Sequence, residues 1–300
     1  MRPAQIIGLI ALGAIWGSSF LFMKIAVPAF GPSMMMGGRI MIAALTLSVA
    51  GWFIKKSLPR GRQWQPAIVV GIFYTAIPLL LWGYASQALS ASLLSIINAT
   101  APLFGMALSR LWFRQRMSAR GLAGLLLGFA GVAVLIGGEG LSNDALPALS
   151  IAAALLASLL YGAISVYTEV AQVVKVTDPY SNVLGSLWIA TLLVVPLMMA
   201  FPLRESPSLA AWSSVATLGI LCTAVAYVVY FRLIEQIGAA PTLTVTYIIP
   251  VFGVLWGVVF LGERIGVHHV IGAVMILAGI TLVAKARQVT LNIDTPALPR

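Results

Sequence analysis

The stretches "APLFG" at residues 101–105 and "IPVFG" at residues 249–253 each set a proline inside an otherwise apolar run. In a helix interior, proline removes a backbone hydrogen bond and clashes with the carbonyl four residues back, at about 3 kcal/mol. Sliding the chain along itself by 148 positions places Pro102 on Pro250, Phe104 on Phe252 and Gly105 on Gly253. The same offset pairs Gly71 with Gly219, Thr75 with Thr223, Ala76 with Ala224, Arg116 with Arg264, Gly124 with Gly272 and Gly131 with Gly279. Upstream, an offset of 145 pairs Trp16-Gly17 with Tyr161-Gly162. The chain therefore reads as a duplicated unit.

Composition names the solvent. The 300 residues are 60% hydrophobic and 9% charged, whereas soluble domains carry about 25% charged residues. So few charges cannot cover a surface facing water, and most of this chain must face lipid. The formal net charge is +10, but the basic residues lie between apolar runs rather than on one face, so no nucleic-acid partner is expected. The single cysteine, Cys222, excludes a disulfide or thiolate metal site within the chain. His268 and His269 have no acid cluster beside them, and no cofactor or metal is expected. No Gly-rich phosphate loop with a lysine is present, which excludes ATP-driven pumping by this chain.

Ten apolar runs qualify as transmembrane helices, at 5–28, 33–54, 66–88, 92–113, 119–138, 147–168, 180–202, 211–233, 241–261 and 267–286. The opening "MRPAQIIGLIALGAIWG" is similar to a secretory signal, yet its apolar run is too long, so it reads as an uncleaved first helix. Alternate loops hold Arg2, then Lys55, Lys56, Arg60 and Arg62, then Arg114, Arg116 and Arg120. That series continues with Lys175, Arg232, Lys285, Arg287 and Arg300. The opposite loops hold Arg204 and Arg264 with the acidic Glu139 and Asp144. The positive-inside rule then puts both termini in the cytoplasm. Residues 1–140 form one five-helix unit, 141–287 the second and 288–300 a cytoplasmic tail. Because five is odd, the second unit crosses in the opposite sense, the inverted-repeat plan of many secondary transporters.

"AIWGSSFLFMKIA" (14–26), "GPSMMMGGRIMIA" (31–43) and "YIIPVFGVLWGVVFLGERIGVHHVIGAVMILAGITLV" (247–283) resemble the EamA-type branch of the drug/metabolite transporter superfamily. Within that branch the chain is similar to YddG-like amino-acid exporters. The twelve-residue spacing between Pro250 and Glu263 is the most specific part of the resemblance, and the first half departs from it with Gln115 in place of the acid. The resemblance implies an all-α integral membrane protein of ten helices around a central cavity, with the fifth and tenth helices at the periphery. It also implies a small-molecule substrate and the bacterial inner membrane.

Several residues are candidates for a pathway. Pro102 and Pro250 free the carbonyls of Asn98 and Thr246, which either line a cavity or mark simple kinks. Arg39 lies roughly 7 Å from the centre of its span at 1.5 Å per residue. Burying it costs about 2.5–3.5 kcal/mol on insertion scales, so it needs a partner. A substrate carboxylate and a structural bond to helix-end carbonyls are both open. Trp16 pairs with Tyr161 and Trp82 with Tyr230 across the repeat, and Tyr247 and Tyr227 add polar tips nearby. Trp16 and Tyr161 are too deep for an interfacial aromatic belt. Lys24 reads as snorkelling to the outer surface. Glu263 and Arg264 read as a loop ion pair or a cap for the last helix. Gly124 and Gly128 in Gly-x₃-Gly spacing favour internal packing over dimerisation, and a monomer is expected with a dimer as the alternative. Glu169, the deepest acid, is the one candidate for ion coupling.

These readings converge on an exporter of amino acids or similar zwitterions working by alternating access, and not on an enzyme. The alternative is a multidrug or cationic-compound exporter, which would need an accessible acid at depth.

Overall fold

Backbone in lipid must satisfy its own hydrogen bonds, and the apolar runs do so as helices. The computed structural model describes residues 2–113, 118–138, 145–171, 173, 177–242 and 244–294. Arg114, Gln115, Arg116, Glu139, Asp144, Lys175 and Arg300, used above for orientation and repeat, lie outside the described residues. Among the described residues there is no strand. The main helices are α1 (Pro3–Phe53), α2 (Gly61–Ala85), α3 (Ala91–Trp112), α4 (Ala119–Gly138), α5 (Ala145–Val170), α6 (Pro179–Ala200), α7 (Leu209–Ile237), α8 (Val245–Leu261) and α9 (Val267–Asp294). Eight are long and apolar enough to cross a membrane, and the 17-residue α8 is a shorter apolar helix.

Three departures from the sequence reading have local causes. The first two expected spans run together as the 51-residue α1, broken at Gly31 with φ 67° and ψ 167°. Only glycine adopts that left-handed conformation without strain, and Pro28 and Pro32 flank it. The break exposes the Ala29 carbonyl, which accepts the backbone N–H groups of Arg204 (2.9 Å) and Glu205 (3.3 Å). Pro102 does not kink a continuous helix. The chain turns at Ala99–Thr100, and Pro102 becomes the second residue of a new helical piece, where its missing N–H would be unpaired anyway. Pro250, by contrast, lies inside α8, five residues past its start at Val245, as the sequence reading expects. The last helix continues to Asp294, into the expected tail, since Pro296 is the first breaker that the sequence offers.

Both α2 and α7 contain a single π-helical turn, at Gly71–Ala76 and Ile220–Val225. These turns coincide to within a residue at the repeat offset. In the second, the Thr223 hydroxyl donates to the Leu218 carbonyl five residues back, at 2.8 Å.

Packing centres on α1, which touches α6, α7 and α8 along its length and also meets α2 and α3. Met35, Met36 and Ile40 of α1 are fully buried, as are Leu94, Ile97 and Leu103 of α3. Close approach is made by glycines, and the contacts occur in matched pairs. A Cβ on Gly17 would lie 3.0 Å from the Ile249 carbonyl oxygen and 2.8 Å from Phe252. One on Gly162 would lie 2.8 Å from the Ala101 carbonyl oxygen and 3.0 Å from Phe104, each partner 148 positions earlier. Gly71 faces Ser186 and Ile189, while Gly219 faces Arg39 and Ile42. Helices α4 and α9 pack against each other along their length. There, a Cβ on Gly124 would sit 2.7 Å from the Gly279 carbonyl oxygen, and one on Gly131 2.8 Å from that of Gly272. The Gly-x₃-Gly face of α4 is thus used inside the chain.

Gly279→Val should cost about 1–3 kcal/mol by overpacking, read as a lowered thermal midpoint in detergent. Gly137→Val should leave the midpoint unchanged, because a Cβ there meets nothing within 4 Å.

Candidate functional site

Arg39 projects from the second limb of α1 (32–53) and is 8% exposed. Its Nε donates to the Thr223 hydroxyl oxygen at 3.0 Å, and that hydroxyl is fixed as an acceptor because its own proton goes to Leu218. The π turn of α7 therefore orients the one side chain that holds Arg39. Arg39 pairs with no carboxylate, and its two Nη groups have no hydrogen-bond partner among the described residues. A guanidinium has five donors in a planar fork, so most of this one is unspent.

Rings surround it. Tyr161 of α5 and Tyr227 of α7 lie within electrostatic reach of the guanidinium, as does the Cys222 thiol. Tyr74 of α2 packs on Tyr161 with centroids 4.7 Å apart. The Tyr161 hydroxyl lies beside the Trp82 indole, and Trp82 meets Phe20 edge-on at 5.7 Å. Trp16 packs on Tyr230 at 5.4 Å. This contact and the Tyr161–Trp82 approach are repeat equivalents, each joining one residue of either matched pair. Tyr74, Tyr161 and Tyr227 lie deep in the protein yet keep accessible surface, so they border space and not only packed neighbours.

The structure thus brings together Arg39, Trp16, Tyr161, Trp82 and Tyr230. It directs Tyr247 elsewhere, toward Thr281 of α9. Asn98 is half-buried at the last turn before the α3 break, and Thr246 lies in the first turn of α8; Arg39 hydrogen-bonds to neither. Glu169 is exposed at the end of α5. Lys24 does not snorkel freely: its amine donates to the Ser86 carbonyl at 3.0 Å, an orphan acceptor at the end of α2. Glu263 caps α3 and not the last helix, accepting the N–H groups of Ala91 (2.6 Å) and Ser92 (2.9 Å). Away from these residues, Arg2, Ala4, Gln5 and Gln236 line a recess of about 820 Å³.

Tyr74 and Thr223 escaped the sequence reading as site residues. Tyr74 stands between the repeat-matched Gly71 and Thr75, but its own counterpart is Cys222, so aromatic pairing gave no sign of it. Thr223 was visible as a repeat match. Its role depends on a π turn, which leaves no composition signature.

The EamA-like transporter family matches residues 4–137 and again 148–285. "Uncharacterized transporter YoaV" of Bacillus subtilis (strain 168) is 25% identical over 91% of this chain and 94% of the relative. "Uncharacterized inner membrane transporter YedA" of Escherichia coli (strain K12) is 26% identical over 93% and 90%. A "Probable terminal-alkyne amino-acid exporter" of Streptantibioticus cattleyicolor is 22% identical over 90% of each chain. One solved structure, titled "Crystal structure of protein", superposes with a TM-score of 0.65 at 20% identity, covering 98% of this chain and 100% of that one, and so shares the fold. With two matches that together span nearly its whole length, this multi-pass membrane chain belongs to the EamA-like transporter family.

Proposed function

We propose that the chain exports amino acids or related small zwitterions across the bacterial inner membrane by alternating access. The observation that carries the reading is Arg39: a buried guanidinium with no carboxylate partner and two open Nη groups, walled by tyrosines. A substrate carboxylate supplies the missing anion and takes the fork bidentately. Tyr161, Tyr227 and Tyr74 present ring faces that accept an ammonium by cation–π attraction and an apolar side chain by burial. Asn98 and Thr246, at the helix breaks, and Tyr247 remain candidates for the flanks of the path. The printed name of the Streptantibioticus relative fits this substrate class. A cationic drug would meet Arg39 with no acid beside it, which disfavours the multidrug alternative.

The architecture proposed for this activity is ten spans in two inverted five-helix units, 1–140 and 141–287, with both termini in the cytoplasm. The Gly31 break divides α1 into two limbs, and eight more helices complete ten. Inversion is supported by the reciprocal contacts. Gly124 meets Gly279, and Gly131 meets Gly272, while the repeat matches Gly124 with Gly272 and Gly131 with Gly279. Such an exchange is what a two-fold axis generates between like surfaces. Movement down a substrate gradient suits a cluster without a deep acid, and Glu169 is kept as the residue to test for ion coupling. A monomer in lipid suffices for this path.

Purified protein in liposomes should exchange labelled amino acids across a concentration gradient. Losing charge-assisted bonds of about 1.5–3 kcal/mol, Arg39→Ala should slow exchange roughly 10- to 100-fold at about 1.4 kcal/mol per decade. Normal exchange by a folded Arg39→Ala protein removes the carboxylate assignment, and no exchange of any amino acid removes the substrate class. Separately, Arg2→Cys in a Cys222→Ser background should react with an impermeant maleimide in inverted vesicles and not in whole cells. The opposite pattern reverses the orientation.

A further inference from the structure

Glu263 stands at the end of α8, after Gly262 in left-handed conformation (φ 66°), and its carboxylate reaches across to α3. Oε1 accepts the Ala91 N–H at 2.6 Å, and Oε2 accepts both the N–H (2.9 Å) and the hydroxyl (2.5 Å) of Ser92. Ser90 caps the next amide, that of Leu93, at 3.1 Å. A carboxylate from the second repeat thus satisfies two of the orphan donors of a first-repeat helix and lies at its positive end. The fit is tight, since a Cβ on Gly257 would lie 2.8 Å from the Ser92 hydroxyl. The Lys24 amine, bonded to Ser86, is close enough to interact electrostatically with the same carboxylate. Other ties close this end of the molecule: Arg204 bonds Gln87 (2.8 Å) and, through its backbone, Ala29. Glu263 alone among these joins α3 to α8, the two helices that carry the repeated proline motif. At the repeat position that matches Glu263 the sequence has the neutral Gln115.

We propose that Glu263 is a gate lock: its grip on the first turn of α3 holds the Glu263 end of the transporter shut and makes that closed form the resting state. Opening this end requires α3 to part from α8, and the three bonds must break together. The carboxylate that makes the lock belongs to the second repeat alone, because Gln115 stands at the matching position of the first. This inference rests on the alternating-access reading, but its test uses no substrate, so failure of the amino-acid assignment leaves it standing.

The reporter is native. Cys222 is the single cysteine in the chain, and it is buried beside Ser18 near Arg39. Sealed vesicles of both orientations, holding the full chain, are treated with an impermeant maleimide. Wild type should label slowly from the Glu263 side. Glu263→Gln and Glu263→Ala should label at least tenfold faster from that side and no faster from the other. Amide exchange at residues 91–92 should quicken in both variants. Quickened exchange with unchanged labelling makes Glu263 a helix cap alone and overturns the lock, as does faster labelling from both sides equally. If both variants fail to fold, Ser92→Ala removes one of the three bonds and should raise labelling from the Glu263 side by a smaller factor. Wild-type labelling in that folded variant also overturns the proposal.

Discussion

Backbone carbonyls released where a helix breaks need new donors, and the structure supplies them at several breaks from neighbouring groups. Where α1 breaks at Gly31, the Ala29 carbonyl takes two N–H groups from the segment between α6 and α7. Where α3 breaks at Ala99–Thr100, the Ile97 carbonyl takes the Thr100 amide, the Thr100 hydroxyl (2.6 Å) and the Ser158 hydroxyl of α5 (3.1 Å). Lys24 serves Ser86 at the end of α2, and Thr223 serves Leu218 in the π turn. These donors come from another segment of the chain or from backbone and side chains close to the break. Breaking a helix therefore binds the bundle together, because the cost is met by a neighbour that must then stay in place.

The same economy governs how the helices approach. Glycines on α1, α5, α4 and α9 let backbone meet backbone, and an added Cβ at these sites would fall inside contact distance. Between lipid-facing helices there is little hydrophobic gain from association, so close packing must supply the attraction. The glycine contacts recur at the repeat offset, which means that two neighbourhoods of the chain solve this problem with the same residues. The aromatic pairs repeat the pattern: Trp16 with Tyr230, and Tyr161 with Trp82.

Much of this was legible in residue order. Lipid as solvent follows from the scarcity of charge, and the paired prolines and glycines expose the duplication. Arg39 stands out because a buried cation is costly enough to be noticed in any apolar span. What stayed hidden depends on angles along the helices. A proline marks trouble but does not say whether the chain kinks or stops. Here it stops short of Pro102 but runs through Pro250. Glu263 was expected to serve its own loop, since nothing in one dimension shows that Ala91 and Ser92 lie across from it. Tyr74 was missed because its counterpart in the repeat is a cysteine, and Tyr247 misled because residue order does not show which side of α8 meets α9.

The two π turns act as phase shifters. A residue added to a helix rotates everything after it by about 100°. A π turn absorbs one such extra residue, so the downstream parts of α2 and α7 present a different face from the one a continuous α-helix would offer. Trp82 lies beyond the first turn, and Tyr227 and Tyr230 lie beyond the second. Their convergence on Arg39 is set by that rotation as much as by their identity. A homologue could keep every one of these side chains and still lose the cluster, if it lacked a single residue between Gly71 and Ala76 or between Ile220 and Val225.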